Sequence, residues 1–299
     1  MLIDSWGFTL RVAQRLRKQD AALKLIKYVG PQVWASRPGR ARTLAKTVDH
    51  LLSILAFDAP WFEKAGLPVT AVGNPVLAKD FSETDPDWLR LAMGAAATDP
   101  ILLVLPGSRR SEIARLMGPF GEAVALLKRA RPPSACGAGA GRYGGRSGPR
   151  GGQALAPGAL YDRGRGRRGW TPCAGATVAL ACSGTVTTEV ALAGCPMVVA
   201  YSVGSDLTFA IMKALIDTPY VCLLNIVEGR IIVPEMLQKD CTGQGWPRSW
   251  PSGWTIRNCG RARSPIRTRR WTRWGRGADP ILRNGAADAV IAILEGRRP

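Results

Sequence analysis

Between Thr177 and Tyr201 the chain contains two apolar strands, with a turn of small residues and a helix between them (TVALACSGTVTTEVALAGCPMVVAY). The apolar runs predict buried strands at 178–181 and 197–201, and the spacing of apolar residues predicts a helix over 186–193. This strand–turn–helix–strand order is typical of a βα unit. It constrains the chain to an α/β fold with parallel strands.

The turn Ser183-Gly184-Thr185 opens this helix and is a candidate phosphate site. Unpaired N–H groups and the positive end of the helix dipole favour an anion there. We expect Thr185 to be the N-cap and Glu189 to lie one turn further along the same face. The Glu189 carboxylate cannot bind the phosphate, but it can accept hydrogen bonds from ribose hydroxyls. An ordinary βα corner with a solvated Glu fits the spacing equally well.

A second corner follows the apolar strand predicted at 101–105. The residues Gly107-Ser108-Arg109 precede a helix that we expect to start at Ser111, its cap, and to run to Ala130. Arg109 could pair with a diphosphate in a bidentate manner. The alternative is a solvated Arg109, because PGSR alone is a weak signal. The presence of two such corners strengthens the phosphate interpretation of each.

The first 75 residues alternate between helix and strand, which favours a parallel sheet of Rossmann type. Asp58 is the predicted cap of one helix, with Pro60 in its first turn. Because the chain begins at the end of a strand, we expect the first βα units of this domain to be missing. Helices are predicted at 8–19 (apolar at Phe8, Val12 and Leu16) and 39–47, and strands at 23–29, 50–55 and 69–72.

Beyond Tyr201 the pattern predicts shorter elements. We expect a strand at 220–224, a loop at 225–230 and a helix that starts at Val233. Two further helices are predicted at 207–216 and 286–294.

Several classes of protein are excluded by composition. No run of about 18 apolar residues is present, and no charged segment precedes the first apolar residues, so we expect neither a membrane span nor a signal peptide. The seven Cys contain no C-x-x-C pair, and His50 is the single histidine. A zinc site and a disulfide framework are therefore not expected, and a reducing cytoplasm fits best.

The net charge of +19 comes mostly from two segments without apolar periodicity, in which we expect no regular packing. Residues 131–171 contain eight Arg, one Asp and no Lys, and residues 241–276 contain nine Arg, five Trp and no acid. We interpret 131–173 and 241–278 as aberrant sequence translated out of frame from GC-rich codons. The alternative is a pair of disordered Arg/Gly-rich segments that bind nucleic acid.

Five stretches together resemble lipid-A-disaccharide synthases, bacterial inverting glycosyltransferases of the GT-B type with two Rossmann-like domains. They occur in the family's order: YVGPQVWASRPGR (28–40), VDHLLSILAFDAPWFEKAGLPVTAVGNP (48–75), LLVLPGSRRSEI (102–113), ACSGTVTTEVALAGCPMVVAY (181–201) and TPYVCLLNIVEGRIIVPEMLQ (218–238). The resemblance implies an incomplete acceptor-side domain at 1–75, a UDP-sugar domain at 76–278 and a carboxy-terminal helix at 279–299.

The implied reaction transfers 2,3-diacylglucosamine from UDP to 2,3-diacylglucosamine 1-phosphate (lipid X), giving the β-1,6 disaccharide and UDP. The implied location is the cytoplasmic face of the inner membrane, without nucleic acid as a partner. No carboxylate pair with metal-binding spacing occurs, so a mechanism without metal or other cofactor is expected. The oligomeric state is left open.

The resemblance also assigns site residues. The UDP part of the donor is expected at Gly107, Ser108, Arg109, Ser183, Gly184, Thr185, Glu189 and Asn225. Arg109 is also expected to stabilise the leaving diphosphate, and Asp4 to deprotonate the acceptor hydroxyl as general base.

The chain departs from the family pattern at Ser5-Trp6-Gly7, where the family has A-P-D, and at Asn74, where the family has His. Together with the two aberrant segments and the missing amino-terminal part, these departures predict impaired activity. The alternatives are another UDP-sugar GT-B protein, such as a UDP-N-acetylglucosamine epimerase relative, and a basic nucleic-acid-binding protein without enzymatic activity.

Overall fold

The strands pair in parallel in both sheets of the protein, as the alternation of strands and helices predicts. Contacts divide the chain into a first unit (1–79, 211–219 and 270–299) and a second unit (80–210 and 220–269). The computed structural model describes residues 1–34, 37–78, 85, 87–130, 135–140, 161–162, 171–206, 209–210, 218–243 and 281–297.

The first unit contains a four-stranded sheet in which the strands follow the order of the chain. Its strands are β1 (Leu2–Ile3), β2 (Ile26–Tyr28), β3 (His50–Ser53) and β4 (Val69–Ala71). The helices between them are α1 (Trp6–Gln19), α2 (Gly39–Ala45) and α3 (Ala59–Glu63). Because each helix returns the chain to a parallel strand, the carboxyl ends of all four strands lie along one edge.

Helix α1 buries a face that matches the predicted one only in part. Thr9 and Ala13 are buried, and Val12 and Leu16 pack partly against the core. The prediction is wrong for Phe8, which is 69% exposed. Thr9 takes the inward position because its hydroxyl donates to the main-chain oxygen of Asp4 and accepts from a buried lysine of β2.

The predicted cap position of α3 is confirmed, but the side chain there does not cap the helix. Asp58 precedes α3, but its side chain makes no capping hydrogen bond. Its Oδ1 instead accepts from the Ser53 hydroxyl at 2.6 Å, and the residue is buried. The chain enters α3 through a 3-10 turn at Ala56–Asp58, which directs the carboxylate towards the end of β3 rather than the helix N-terminus.

The second unit contains a six-stranded sheet in the order β10-β9-β8-β5-β6-β7. Its strands are β5 (Ile101–Leu105), β6 (Ala135–Ala140), β7 (Tyr161–Asp162), β8 (Val178–Cys182), β9 (Met197–Tyr201) and β10 (Glu235–Leu237). Its helices include α4 (Asp87–Met93), α5 (Arg110–Ala130), α6 (Thr171–Gly175), α7 (Thr185–Leu192) and α8 (Leu223–Glu228). Helix α5 buries Leu116, Phe120 and Val124 against the central strands.

The predictions for residues 220–238 are wrong. A helix, α8, lies where a strand and a loop were expected, and a strand, β10, lies where a helix was expected. Gly229 ends α8 in the left-handed conformation (φ 64°), which is a common helix C-terminus. Strand β10 forms because it can pair with the edge of β9, a tertiary contact that local spacing does not contain. The predicted helix at 207–216 lies largely outside the described residues.

Part of the first Arg-rich segment is regular. Strand β6 lies parallel to β5 over four residue pairs, and β7 pairs with β6. The expectation of no regular structure is therefore wrong for these strands. The remainder of this segment, apart from 171–173, and all of the second segment beyond Gly243 lie outside the described residues, and the frame-shift interpretation stays a prediction.

A carboxy-terminal helix, α9 (Ile281–Leu294), completes the described chain. Its Ala289 shares a core cluster with Ile26, Leu52 and Val72, so α9 belongs to the first unit. The predicted helix is confirmed, but it starts five residues earlier and packs with residues 1–79. No helix in the described part of the chain is long and apolar enough to cross a membrane.

Candidate functional site

The two predicted phosphate corners lie next to each other in the second unit. Strands β5 and β8 are neighbours in the sheet, and Leu105 pairs with Ala181 one residue before β8 ends. The turns that follow therefore leave the same edge of the sheet at adjacent positions. A Cβ atom placed on Gly107 would lie 3.4 Å from the Cys182 sulfur, which shows how closely the corners approach.

Gly107 has a conformation that other residues rarely adopt. Its φ is 108°, within the left-handed region. A Cβ atom on Gly107 would lie 2.6 Å from the Oε2 atom and 2.9 Å from the Cβ atom of Glu112. The first corner therefore requires glycine, both for its backbone angle and for the space that Glu112 occupies.

Glu112 holds the first corner together, a role that was not predicted from the sequence. Its Oε2 accepts hydrogen bonds from the main-chain N–H groups of Ser108 and Arg109, each at 3.2 Å, and its Oε1 accepts from the Arg109 guanidinium. Helix α5 starts at Arg110, so Ser111 is not the cap that was predicted. The sequence does contain one indication of this role, because an acid three residues after Arg109, in the first helical turn, is typical of a side chain that accepts hydrogen bonds from N–H groups at the helix start.

Arg109 and Glu112 form an ion pair at the edge of the sheet. Burial acts to raise the pKa of Glu112, but the hydrogen bonds from Arg109 and Ser108 outweigh it and lower that pKa. The same hydrogen bond to Glu112 raises the pKa of Arg109. The Arg109 side chain is 77% exposed, whereas that of Glu112 is 17% exposed. Arg109 can therefore reach a ligand from solvent.

The second corner is held together differently. Its N-cap is Gly184, which makes no side-chain cap, and Thr185 is the first helical residue, so the predicted Thr185 cap is wrong. The Thr187 hydroxyl donates to the Gly184 carbonyl oxygen at 2.7 Å, and the Ser183 hydroxyl donates to the Val221 carbonyl oxygen at 3.1 Å. The N–H groups of the first turn of α7 are thus left without a side-chain cap from Gly184.

Glu189 lies in the last turn of α7 and is 3% exposed. An accessible carboxylate was predicted here, one turn beyond Thr185 on the same face of the helix. In this conformation the side chain is buried, and its contact with a ribose stays a prediction.

Asn225 lies at the centre of a hydrogen-bond network that the sequence did not indicate. Its Oδ1 accepts from the N–H groups of Ile232 and Val233, and its Nδ2 donates to the Val233 carbonyl and to Glu235. The amide therefore uses its full hydrogen-bonding capacity within the chain. This gives Asn225 an organising role, and its direct contact with UDP stays a prediction.

Glu235 extends this network towards the second corner. Its carboxylate accepts from the N–H groups of Val221 and Cys222 at 3.0 and 2.8 Å, beside its bond with Asn225. Val221 in turn accepts from Ser183. Asn225 is thus connected to the Ser183 turn through Glu235 and Val221.

Asp4, the candidate general base, lies in the first unit, whereas the predicted UDP contacts all lie in the second. It follows β1 at the carboxyl edge of the first sheet and is exposed. Its φ is 46°, and that of Ser5 is 42°, so two consecutive residues other than glycine are left-handed. Its N–H donates to the Tyr28 carbonyl at 3.0 Å, which fixes the end of β1 to the end of β2.

Asp58 is a second carboxylate at the same edge of the first sheet, and it was not selected as a site residue. It is 3% exposed and hydrogen-bonded to Ser53. Burial raises the pKa of Asp58 to about 6, although the Ser53 hydrogen bond acts against this. No three His, Cys, Asp or Glu side chains in the described ranges come close enough to hold a metal ion.

Two units with parallel sheets, one of them with two phosphate-type corners at its carboxyl edge, define an α/β protein of the GT-B type. Solved structures with this fold are similar to it at low sequence identity. A UDP-GlcNAc 2-epimerase from Neisseria meningitidis has a TM-score of 0.56 at 10% identity and covers 98% of this chain and 75% of its own. A trehalose-phosphate synthase from Burkholderia vietnamiensis has a TM-score of 0.53 at 12% identity, covering 98% and 74%.

Sequence comparison identifies the family. The model of the lipid-A-disaccharide synthetase family matches residues 1–134 and 168–246, and the chain belongs to that family. The lipid-A-disaccharide synthase of Rhodospirillum centenum is 41% identical, covering 80% of this chain and 59% of its own length. That of Rhodopseudomonas palustris strain BisB18 is 36% identical, covering 100% and 74%. The chain spans about three fifths of the length of the first of these relatives.

The resemblance stated from the sequence is thereby confirmed. The matched residues include both corners, Asp4 and the Asn225 network. The family match supports the synthase interpretation over the epimerase relative and the nucleic-acid-binding protein. The epimerase likeness, at 10% identity, concerns the fold alone.

Proposed function

We propose that the chain is a glycosyltransferase that transfers 2,3-diacylglucosamine from UDP to 2,3-diacylglucosamine 1-phosphate, forming the β-1,6 disaccharide and UDP. The observation that carries this proposal is the adjacency of the Gly107–Arg109 and Ser183–Thr185 turns at one edge of a parallel sheet. Ligands of open α/β sheets bind outside the carboxyl ends of the strands. Membership of the lipid-A-disaccharide synthetase family supports this choice of sugar nucleotide and acceptor.

In this proposal the diphosphate of the donor lies between the two corners. The first turn of α7 offers main-chain N–H groups, and Arg109 offers a planar cation that can pair with two phosphate oxygens. As the bond from the sugar to UDP breaks, negative charge grows on the diphosphate. These groups then stabilise the leaving group.

Asp4 is the proposed general base for the acceptor. An ionised carboxylate can take the proton of the 6-hydroxyl as that oxygen attacks the anomeric carbon of the donor. Its exposure at the end of β1 supports this role, because a buried carboxylate could not reach an acceptor. The impaired activity expected from the departures at Ser5-Trp6-Gly7 and Asn74 stays a prediction.

We also propose peripheral contact with the cytoplasmic face of the inner membrane, where acylated substrates reside. Phe8, Arg11, Arg15 and Lys18 are exposed at helical spacing on α1, and they combine one large apolar side chain with three cations. Such a stripe fits an anionic lipid surface. Sedimentation with vesicles of anionic phospholipid, compared for the unchanged chain and Phe8→Ser, tests it. Equal binding by both would remove Phe8 from the proposal.

Calorimetry of UDP binding to the 299-residue chain tests the donor site. Arg109→Ala should weaken UDP binding about tenfold, since a charge-assisted contact is worth about 1.5–3 kcal/mol and this side chain is exposed to screening. Arg110→Ala is the matched control, because Arg110 is its exposed neighbour at the start of α5. Equal UDP affinity for Arg109→Ala and the unchanged chain would contradict the assignment.

The reaction itself is tested with UDP-2,3-diacylglucosamine and lipid X as substrates and mass spectrometry of the lipid product. We expect the unchanged chain to form disaccharide slowly, because its departures from the family pattern predict impaired activity. Asp4→Asn should lower the remaining kcat at least about a hundredfold, which is the usual contribution of general base catalysis. A chain that binds UDP but forms no disaccharide would confirm the donor site and contradict the activity.

A further inference from the structure

Lys27 is the one lysine among the largest fully buried side chains of the described chain. It lies on β2 and is 2% exposed, in surroundings that include Leu2, Ala13, Leu44 and Val48. Lysines are rarely buried unless their ammonium group is hydrogen-bonded, because removing a cation from water is costly. The position of its partners therefore indicates what the residue does.

The Lys27 ammonium donates to one group in the turn that carries Asp4 and to one in the first turns of α1. Its Nζ donates to the main-chain carbonyl oxygen of Asp4 and to the Thr9 hydroxyl, the second at 2.9 Å. The Thr9 hydroxyl also lies 2.9 Å from the Asp4 carbonyl oxygen and 3.0 Å from that of Ser5. Lys27 and Thr9 thus bind the main-chain oxygens of the turn.

The turn needs this support because its backbone is unfavourable. Asp4 and Ser5 are both left-handed, at φ 46° and 42°, and neither is glycine. Such residues persist only where the surrounding structure holds them. The Asp4 N–H is bound to Tyr28, and the Asp4 carbonyl is bound to Lys27 and Thr9, so its main chain is fixed on both sides.

We propose that Lys27 is a positioning residue: its buried ammonium group fixes the Asp4 turn and so holds the Asp4 carboxylate at the edge of the first sheet. This rests on the proposed function, in which Asp4 is the general base. Lys27 does not reach solvent, so it acts through Asp4 and does not touch the substrate. Burial lowers the pKa of Lys27, although the nearby Asp4 charge acts to raise it.

Hydrogen–deuterium exchange of the 299-residue chain, followed by mass spectrometry of peptides, tests the positioning directly. In Lys27→Met, which keeps the length and apolar contacts of the side chain, we expect amides 4–9 to exchange at least tenfold faster than in the unchanged chain. Amides 50–53 of β3 should keep their protection. Lys24→Met is the control, since Lys24 is exposed three residues before it. Unchanged protection of amides 4–9 in folded Lys27→Met would overturn the proposal.

A second pair of variants keeps the proposal testable if Lys27→Met does not fold. Thr9→Val removes the hydroxyl that links Lys27 to the turn, and Thr9→Ser restores it. We expect faster exchange of amides 4–9 in Thr9→Val and protection close to that of the unchanged chain in Thr9→Ser. The same exchange in Val and Ser variants would overturn the proposal, because the hydroxyl would then be without effect.

The transfer assay supplies the readout that a general loss of stability would not give. Lys27→Met should lower kcat at least tenfold while the KM for the UDP-sugar stays within twofold. Unchanged kcat in Lys27→Met, where Asp4→Asn is inactive, would overturn the proposal. If the unchanged chain makes no disaccharide, the proposed function fails, and the exchange experiment still decides whether Lys27 holds the turn.

Discussion

The carboxyl edges of the two sheets are stabilised in different ways. In the first unit, the edge depends on buried ionisable side chains, Lys27 beneath the Asp4 turn and Asp58 beside Ser53. In the second unit, it depends on glycine geometry at Gly107 and on main-chain N–H groups, and the charged pair Arg109–Glu112 lies nearer to solvent. The first edge therefore presents carboxylates that can accept a proton, and the second presents N–H groups and a cation that can bind an anion.

The largest expected effect is at Gly107, where the second edge depends on one backbone angle. Gly107→Ala should destabilise the second unit by about 3 kcal/mol, because alanine is strained at φ 108° and its Cβ would meet Glu112. UDP binding should be lost with it. Chemical denaturation and calorimetry measure both effects.

Gly184→Ala is the matched control for Gly107→Ala. Gly184 has an extended φ, and a Cβ there would meet nothing within 4 Å. We expect a change below about 1 kcal/mol. Equal destabilisation by the two substitutions would contradict the idea that the two corners differ in their need for glycine.

The next effect concerns the first edge and its dependence on pH. Burial raises the pKa of Asp58 to about 6, above the value of about 3.9 in an unfolded chain. The folded chain therefore binds this proton more tightly, and the contribution of Asp58 to the free energy of unfolding falls as pH rises from about 4 to about 6 and then levels off. Asp58→Asn should be about 2 kcal/mol more stable than the unchanged chain at pH 8 and equal to it at pH 4.

Asp49→Asn gives a control of opposite sign in the same unit. Burial acts to raise the pKa of Asp49, but the hydrogen bonds from the Leu25 N–H and from Arg17 lower it overall. Asp49 therefore stabilises the folded chain at neutral pH, and this contribution is lost as pH falls through its folded pKa. Denaturation midpoints between pH 4 and 8 distinguish the two. A loss of stability at pH 8 in Asp58→Asn would contradict the prediction.

The sequence predicted the elements whose signal is local. Strands β5, β8 and β9 are uninterrupted apolar runs, and α1 and α5 have helical periodicity over several turns. The two phosphate corners followed from these elements, because a turn after a buried strand has its place set by the sheet. Residues 220–238 could not be assigned in this way. Their short apolar runs fit helix and strand equally, and the pairing of β10 with β9 decides between them.

The parts of the site that the sequence did not reveal are those that depend on packing. Asp58 is a predicted helix cap and Lys27 lies inside a predicted strand, and only the folded chain shows that both charged side chains are buried. Asn225 was selected through the family resemblance, but its partners, Ile232, Val233 and Glu235, follow from the fold of α8 against β10. Hydrogen bonds between residues seven to ten apart leave no periodic signal.

The smallest predicted effect concerns Glu112 at the first corner of the second edge. The Glu112 carboxylate occupies the N–H groups of Ser108 and Arg109 and the Arg109 guanidinium, which are groups that a diphosphate would also use. Glu112→Gln keeps an acceptor oxygen and removes the competing charge. The exposed Arg109 pair is worth at most about 1 kcal/mol, whereas a carboxylate close to a diphosphate repels it by about as much or more. UDP should therefore bind about threefold more tightly to Glu112→Gln, and the gain should shrink at high salt. Calorimetry at low and high ionic strength measures this, with Glu122→Gln on the same helix as control. Weaker UDP binding in Glu112→Gln would instead mean that the carboxylate is needed to shape the corner.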